Sequence, residues 1–164
     1  MKRLFTLLFL FLSLSIFSQE TIKEVLSKYN NEKIPYMQPY RTSVLRPESS
    51  YILDARELKE FKVSHLENAI HVGYDNFDLE ATKQQITNKN ALIVVYCTLG
   101  VRSEDIAEKL KAAGYPNVFN LFGGIVQWKN EGLPVFDTKG KETKRVHVFS
   151  KEWGKWLKAG RKVY

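Results

Sequence analysis

The chain has 164 residues, 44% of them hydrophobic and 13% aromatic, enough for one globular domain with an adequate core, and shows no internal repeat or long low-complexity tract. Its single cysteine excludes an intramolecular disulfide. The formal net charge of +7 is local: Lys139 to Tyr164 carries nine Lys or Arg against two Glu, and with Lys2 and Arg3 set aside the stretch from Gln19 to Thr138 is net −2, which excludes a uniformly basic surface.

Residues 1–18 read as a signal peptide. Lys2 and Arg3 precede the apolar run Leu4 to Phe17, and Ser18 gives a small-residue exit, so cleavage is expected after Ser18 although Ile16 is a poor match two positions earlier. The run is shorter than the roughly 20 residues that span a bilayer; an uncleaved anchor is the alternative. Export to the periplasm or outside the cell is the expected localisation. A lone thiol there must survive an oxidising compartment.

Residues 19–45 form an N-terminal helix and a wrapping segment. Ile22, Val25, Leu26 and Tyr29 fall at helical spacing, Asn30-Asn31 is a stop, and the Pro-punctuated piece from Ile34 to Pro47 is expected to wrap the domain edge with a short strand. The domain proper is expected over 46–137. Strands are predicted at Tyr51–Ala55, Ala69–Val72, Ala91–Tyr96 and Val118–Leu121, with helices at Glu57–Lys62 and Asp78–Thr87. Ala91 to Tyr96 is a continuous apolar run rich in β-branched residues, as in a central parallel strand buried on both faces. A helix follows, with Ser103 as its expected N-cap, Ile106, Ala107, Leu110 and Ala113 as its stripe, and Gly114 then Pro116 as its stop. The alternation gives an α/β fold: a central, mostly parallel sheet with helices on both faces.

Cys97 sits where the buried strand hands over to that helix. The N–H groups of a tight loop and a helix start favour an anion there, and a thiolate is the reactive form of cysteine. Arg102 adds a positive charge at the rim. A buried structural cysteine is the alternative, but Cys97 ends the apolar run and precedes Thr98, Leu99 and Gly100, and does not lie on a helix stripe. Asp54 and Arg56 leave a neighbouring strand at the same sheet edge, where open α/β sheets place their sites.

Cys97-Thr98-Leu99-Gly100-Val101-Arg102-Ser103 resembles the CxxGxRS loop of single-domain rhodanese-like sulfurtransferases. Leu53-Asp54-Ala55-Arg56-Glu57 resembles that family's D-x-R-E segment, Ser64 to Ile70 its GHIPGAI segment, and Asn120 to Trp128 its GG-x-x-x-W element. The resemblance implies a rhodanese-like fold and a sulfurtransferase. Cys97 would attack the outer sulfur of a donor such as thiosulfate and carry a persulfide, and the N–H groups from Thr98 to Ser103 (Thr98, Leu99, Gly100, Val101, Arg102, Ser103) would cradle it. Asp54, Arg56 and His65 would organise the surroundings, His65 fixing a turn. The Cys97–Arg102 spacing is Cys-x4-Arg; phosphatases of a related fold carry Cys-x5-Arg, whose wider loop holds a phosphate. The departures Ser64, Glu67 and Asn68 keep a non-catalytic binding or thiol-sensing module as the alternative.

The implied partners are a small-molecule sulfur donor and acceptor, with a thiol protein as a further acceptor. No cofactor is called for, and His65, His71 and His147 have no metal-ligand spacing. Residues 138–164 are a basic C-terminal extension in which Val146, Val148 and Phe149 suggest a docking strand. There Ser150 caps a helix with Trp153, Trp156 and Leu157 on one face. Docking on the domain is preferred to contact with an anionic membrane, and export argues against a nucleic-acid partner.

Overall fold

The computed structural model describes residues 20–164. The signal peptide expected over 1–18 lies outside the described residues. Among those described, no helix is long and apolar enough to cross a membrane.

Helix α1 (Ile22–Tyr29) starts at Thr21, whose hydroxyl accepts the Glu24 N–H while the Glu24 carboxylate accepts the Thr21 N–H. Its buried residues are Val25 and Leu26, and Asn30 ends it. Then follow β1 (Tyr36–Met37), α2 (Pro39–Ser43), β2 (Ser50–Asp54), α3 (Leu58–Val63), β3 (Ile70–His71) and α4 (Leu79–Gln85). The second half contains β4 (Leu92–Tyr96), α5 (Arg102–Ala112), β5 (Val118–Leu121) and α6 (Gly124–Asn130). The five strands make one parallel sheet in the order β1-β5-β4-β2-β3.

β4 lies at the centre and explains its own composition. Val94 and Tyr96 point into one apolar cluster, Ile93 and Val95 into another, and all four are buried, so none of these four positions has a solvated face to be polar on. Ile106, Ala107 and Leu110 of α5 cover the second cluster. The first is covered by Val25 of α1 and by Ile125, Val126 and Trp128 of α6. The parallel arrangement brings the carboxyl ends of β2 and β4, Asp54 and Tyr96, to adjacent positions on one edge.

The composition changes near 45 and 137 are not packing boundaries. β1 belongs to the N-terminal segment, yet it extends the sheet by pairing Tyr36 with Asn120 and Met37 with Leu121. Val146, Val148, Trp156 and Leu157 of the basic extension are buried in the same cluster as Val94 and Ile125, so the extension docks on its own domain. Its β7 (Glu142–Thr143) pairs antiparallel with β6 (Val135–Phe136), the last strand of the preceding segment, and β8 (Arg145–His147), α7 (Lys151–Gly154) and β9 (Arg161–Val163) follow. β8 and β9 pair in parallel.

Two details differ from expectation. Ser150 caps α7 through the Trp153 N–H, but the helix stops at Gly154, where the Leu157 N–H closes a turn on the Gly154 carbonyl. Trp156 and Leu157 therefore reach the core from irregular chain. β9 was not expected, because Arg161 and Lys162 are exposed and carry no apolar alternation.

Asn68 stands where the resembled segment has glycine, and its φ is +57°. The left-handed conformation is thus retained, by the residue type that tolerates it best after glycine.

Candidate active site

Cys97 follows directly on β4. The loop behind it is pinned from the back. Ile125 and Val126, at the start of α6, donate their N–H groups to the carbonyls of Cys97 and Thr98 at 3.0 and 3.2 Å, and the Gly100 carbonyl accepts from the side-chain amides of Asn30 and Asn120 at 2.9 and 2.8 Å. No peptide bond here is cis. In a trans peptide the N–H points opposite to the carbonyl, so with three carbonyls turned back, the N–H groups of Thr98, Leu99 and Val101 turn to the other side of the loop. The Gly100 N–H donates to Cys97 Sγ at 3.1 Å.

This close approach needs Gly124. Its φ is +52°, and a β-carbon there would run into the Cys97 carbonyl oxygen and the Thr98 backbone. Gly100, at φ +112°, makes the loop's own tight turn.

The thiol is almost completely buried yet lines a cavity of about 350 Å³. Thr98, Leu99, Val101 and Arg102 line it too; Gly100 and Ser103 do not. Ser103 is a correction to the expected N-cap. Helix α5 already begins at Arg102, and the buried Ser103 hydroxyl donates to Asn120 Oδ1 at 2.7 Å, so this side chain buttresses the loop from inside. Glu104 also turns inward, accepting from Asn120 Nδ2 at 2.9 Å; burial holds its carboxyl above the ordinary range. Asp105 accepts the Tyr74 hydroxyl at 2.6 Å. Neither acid points at the sulfur.

Arg102 stays at the rim, but its charge is not free. Its guanidinium donates to both carboxylate oxygens of Glu60 at 2.8 and 2.9 Å and to the Thr98 hydroxyl at 3.0 Å. Burial works against its charge; the Glu60 hydrogen bonds and the nearby Cys97 prevail and raise its pKa. The Phe149 ring covers it at 4.9 Å.

Asp54 and Arg56 are brought together but do not reach the cavity. Both are fully buried, and Arg56 Nε and Nη2 donate to Asp54 at 2.9 and 2.6 Å, while Nη2 also bonds the Ser64 carbonyl at 2.7 Å. The Tyr96 hydroxyl donates to Asp54 and accepts the Leu66 N–H. The pair ties the end of β2 to β4 and to the segment after α3. His65 stacks on Phe61 at 4.0 Å, with Nδ1 3.2 Å from the Phe61 carbonyl, and exchanges backbone hydrogen bonds with Phe136. It holds a turn outside the cavity.

Sequence reasoning missed several residues of this site, Tyr74 and Asp75 of its lining among them. Asn120 was legible as an amide inside an otherwise apolar buried strand. Glu60 gave no signal, since a glutamate on a short helix reads as solvated. Phe149 and Trp153 line the cavity's mouth from the basic extension, a placement that only tertiary packing reveals.

A profile of the rhodanese-like domain matches residues 41–131. Among curated proteins, a tRNA uridine(34) hydroxylase of Listeria monocytogenes is 37% identical over 114 residues, covering 65% of this chain and 33% of that protein. The chain thus spans about a third of the length of the curated relatives it matches. A thiosulfate sulfurtransferase structure from Pseudomonas aeruginosa superimposes with a TM-score of 0.60 at 22% identity, covering 83% of this chain and 25% of that one, a likeness of fold. A rhodanese-related protein from Thermoplasma volcanium gives 0.50 at 26% identity, covering 62% and 96%.

Proposed function

The chain belongs to the rhodanese-like domain family, and from that premise we propose that it is a sulfurtransferase working through a persulfide on Cys97. The observation that carries the proposal is the position of Sγ: at the end of the central strand, accepting an N–H from Gly100 at 3.1 Å, and opening into the cavity.

Two half-reactions follow. The Cys97 thiolate attacks the terminal sulfur of the donor; the new S–S bond forms as the donor's own bond to that sulfur breaks, and the leaving group departs with the electron pair. For thiosulfate the leaving group is sulfite. An acceptor nucleophile, cyanide or a thiolate, then takes the outer sulfur and restores the Cys97 thiolate. Charge is conserved in each step, and attack by the thiolate form needs no general base. The N–H groups turned to the concave side stabilise the persulfide anion where it forms.

The Cys-x4-Arg loop favours this over phosphate-ester hydrolysis, because the Arg102 guanidinium is held by Glu60 and does not line the bowl as a free anion clamp. The curated relatives' name describes proteins of which the shared segment is only about a third, and we carry over only the domain shared with them. Export, supported by Lys2-Arg3 and the apolar run to Phe17, belongs to the same proposal, as do a small-molecule donor and acceptor.

Turnover tests it: wild-type protein with a sulfane-sulfur donor and cyanide releases thiocyanate, and Cys97→Ser does not. Equal release by both, or release by neither with any donor, points to the binding or thiol-sensing alternative.

A further inference from the structure

The cavity over Cys97 has an acidic side and an aromatic side. Its acidic lining residues are Glu57 and Asp75, held next to each other by the Asp75 N–H, which donates to Glu57 Oε1 at 3.1 Å. Its cationic lining residue, Arg102, is neutralised by both oxygens of the fully buried Glu60. The side chains at the mouth therefore sum to a negative charge, which opposes a dianion more than a monoanion.

Phe149 and Trp153 line the mouth as well. Phe149 is 51% exposed. Its φ is +66°, and the Ser150 N–H bonds the Val148 carbonyl at 2.8 Å, which makes Phe149 the centre of a γ-turn of the rare, strained kind. A bulky side chain is thus held on strained backbone beside the cavity, where water would otherwise favour turning it inward. Trp153 lies beside it, with the Tyr29 ring 6.0 Å beyond. Leu99 and Val101 continue the apolar lining inward.

Resting on the sulfur-transfer reading, we propose that the sulfur compound handled at Cys97 is organic, with an apolar body against Phe149 and Trp153 and at most one negative charge, in preference to inorganic thiosulfate. An aryl thiosulfonate represents the class. The Cys97 thiolate attacks its terminal sulfur, the new S–S bond forms, and the bond to the sulfonyl sulfur breaks with its electron pair remaining on the departing sulfinate. One negative charge on each reactant becomes one on each product, with no proton or outside oxidant involved.

Three probes separate charge from apolar contact: thiosulfate, a dianion; methanethiosulfonate, a small monoanion; and benzenethiosulfonate, a monoanion with a ring. Persulfide formation on full-length protein is followed by intact mass, each rate divided by that of the same donor with free cysteine. The normalised rates are expected to rise in that order. Phe149→Ala with Trp153→Ala lowers the ratio of the benzenethiosulfonate rate to the methanethiosulfonate rate about tenfold. Glu57→Gln with Asp75→Asn raises the thiosulfate rate about threefold at low salt, a gain that disappears as salt screens the wild-type repulsion. Reading the aromatic variant as a ratio between donors cancels any loss of folded protein, since Trp153 packs on the core, and the acidic variant is read as a gain, which unfolding cannot produce. A thiosulfate rate equal to or above that of benzenethiosulfonate, or rates indifferent to both double variants, overturns this inference alone. Failure of all three donors to load wild-type Cys97 overturns the sulfur-transfer reading and this inference with it.

Discussion

Glu60, at 0% exposure on α3, accepts two hydrogen bonds from Arg102 at the start of α5, and so joins the helix after β2 to the loop after β4. One carboxylate fixes the rim of the site and cancels its charge.

Glu60→Gln keeps the shape and removes the charge. It should cost up to about 3 kcal/mol, the low end for a broken buried pair because Arg102 keeps some contact with water. Despite burial, which opposes it, the Arg102 hydrogen bonds hold the Glu60 carboxyl below its ordinary 4.5. A carboxyl lowered by folding stabilises the native state fully above that ordinary value and loses the contribution as pH falls through its lower native one. Melting curves should therefore show a gap between wild type and variant that is constant above about pH 5.5 and narrows below about pH 4.5. A gap independent of pH contradicts the assignment.

His147 gives the opposite kind of group in the same contact. Its Nδ1 accepts the Phe149 N–H at 3.2 Å, so the 3.8 Å approach to Glu60 is that of a neutral ring, and burial lowers its pKa below 6.5 against the pull of Glu60. Below pH 6.5 the unfolded chain takes up a proton that the folded chain resists, so stability falls with pH there. In His147→Gln that portion of the slope should vanish between about pH 7 and 5.5. An unchanged slope means that another group titrates.

Gly124→Ala should destabilise the fold by at least about 2 kcal/mol, combining a left-handed alanine with a clash against the Cys97 and Thr98 backbone, and should slow Cys97 alkylation. Gly132→Ala is the control. It shares the positive φ, +80°, but a β-carbon there meets nothing within 4 Å, so it should cost only about 1 kcal/mol and leave alkylation unchanged. Equal effects on alkylation would show that the loop is not held from α6.

Ending the chain at Thr138 removes Val146, Val148, Trp156 and Leu157 from the core. At about 1.5–3 kcal/mol for each buried aliphatic side chain, and more for the tryptophan, the loss approaches the whole stability of a domain. The truncated chain should show no cooperative melt by circular dichroism. A melt within a few degrees of the full chain would make the extension dispensable.

What could be read from the sequence divides along local and non-local lines. β4, α5 and the Cys97 turn were legible because a continuous apolar run, a helical stripe and a glycine-containing loop each act over a few residues. Ser103 was misplaced because a hydroxyl in the first helical turn looks like a cap until the Asn120 amide, seventeen residues on, is seen to accept its proton. Glu60 and Phe149 owe their roles to contacts with Arg102 across 42 and 47 positions of the chain. Such pairings leave no periodicity to detect. The site's chemistry was therefore visible before its electrostatics: the motif located the sulfur, and only the fold showed that the arginine beside it is already occupied.

Intact mass after exposure to a thiosulfonate donor tests the central claim most directly. Wild-type protein should gain one sulfur atom, the gain should map to Cys97 and vanish on adding cyanide, and Cys97→Ala should gain nothing. An unmodified wild type, or a Cys97→Ala variant that takes up sulfur to the same extent, would contradict the account.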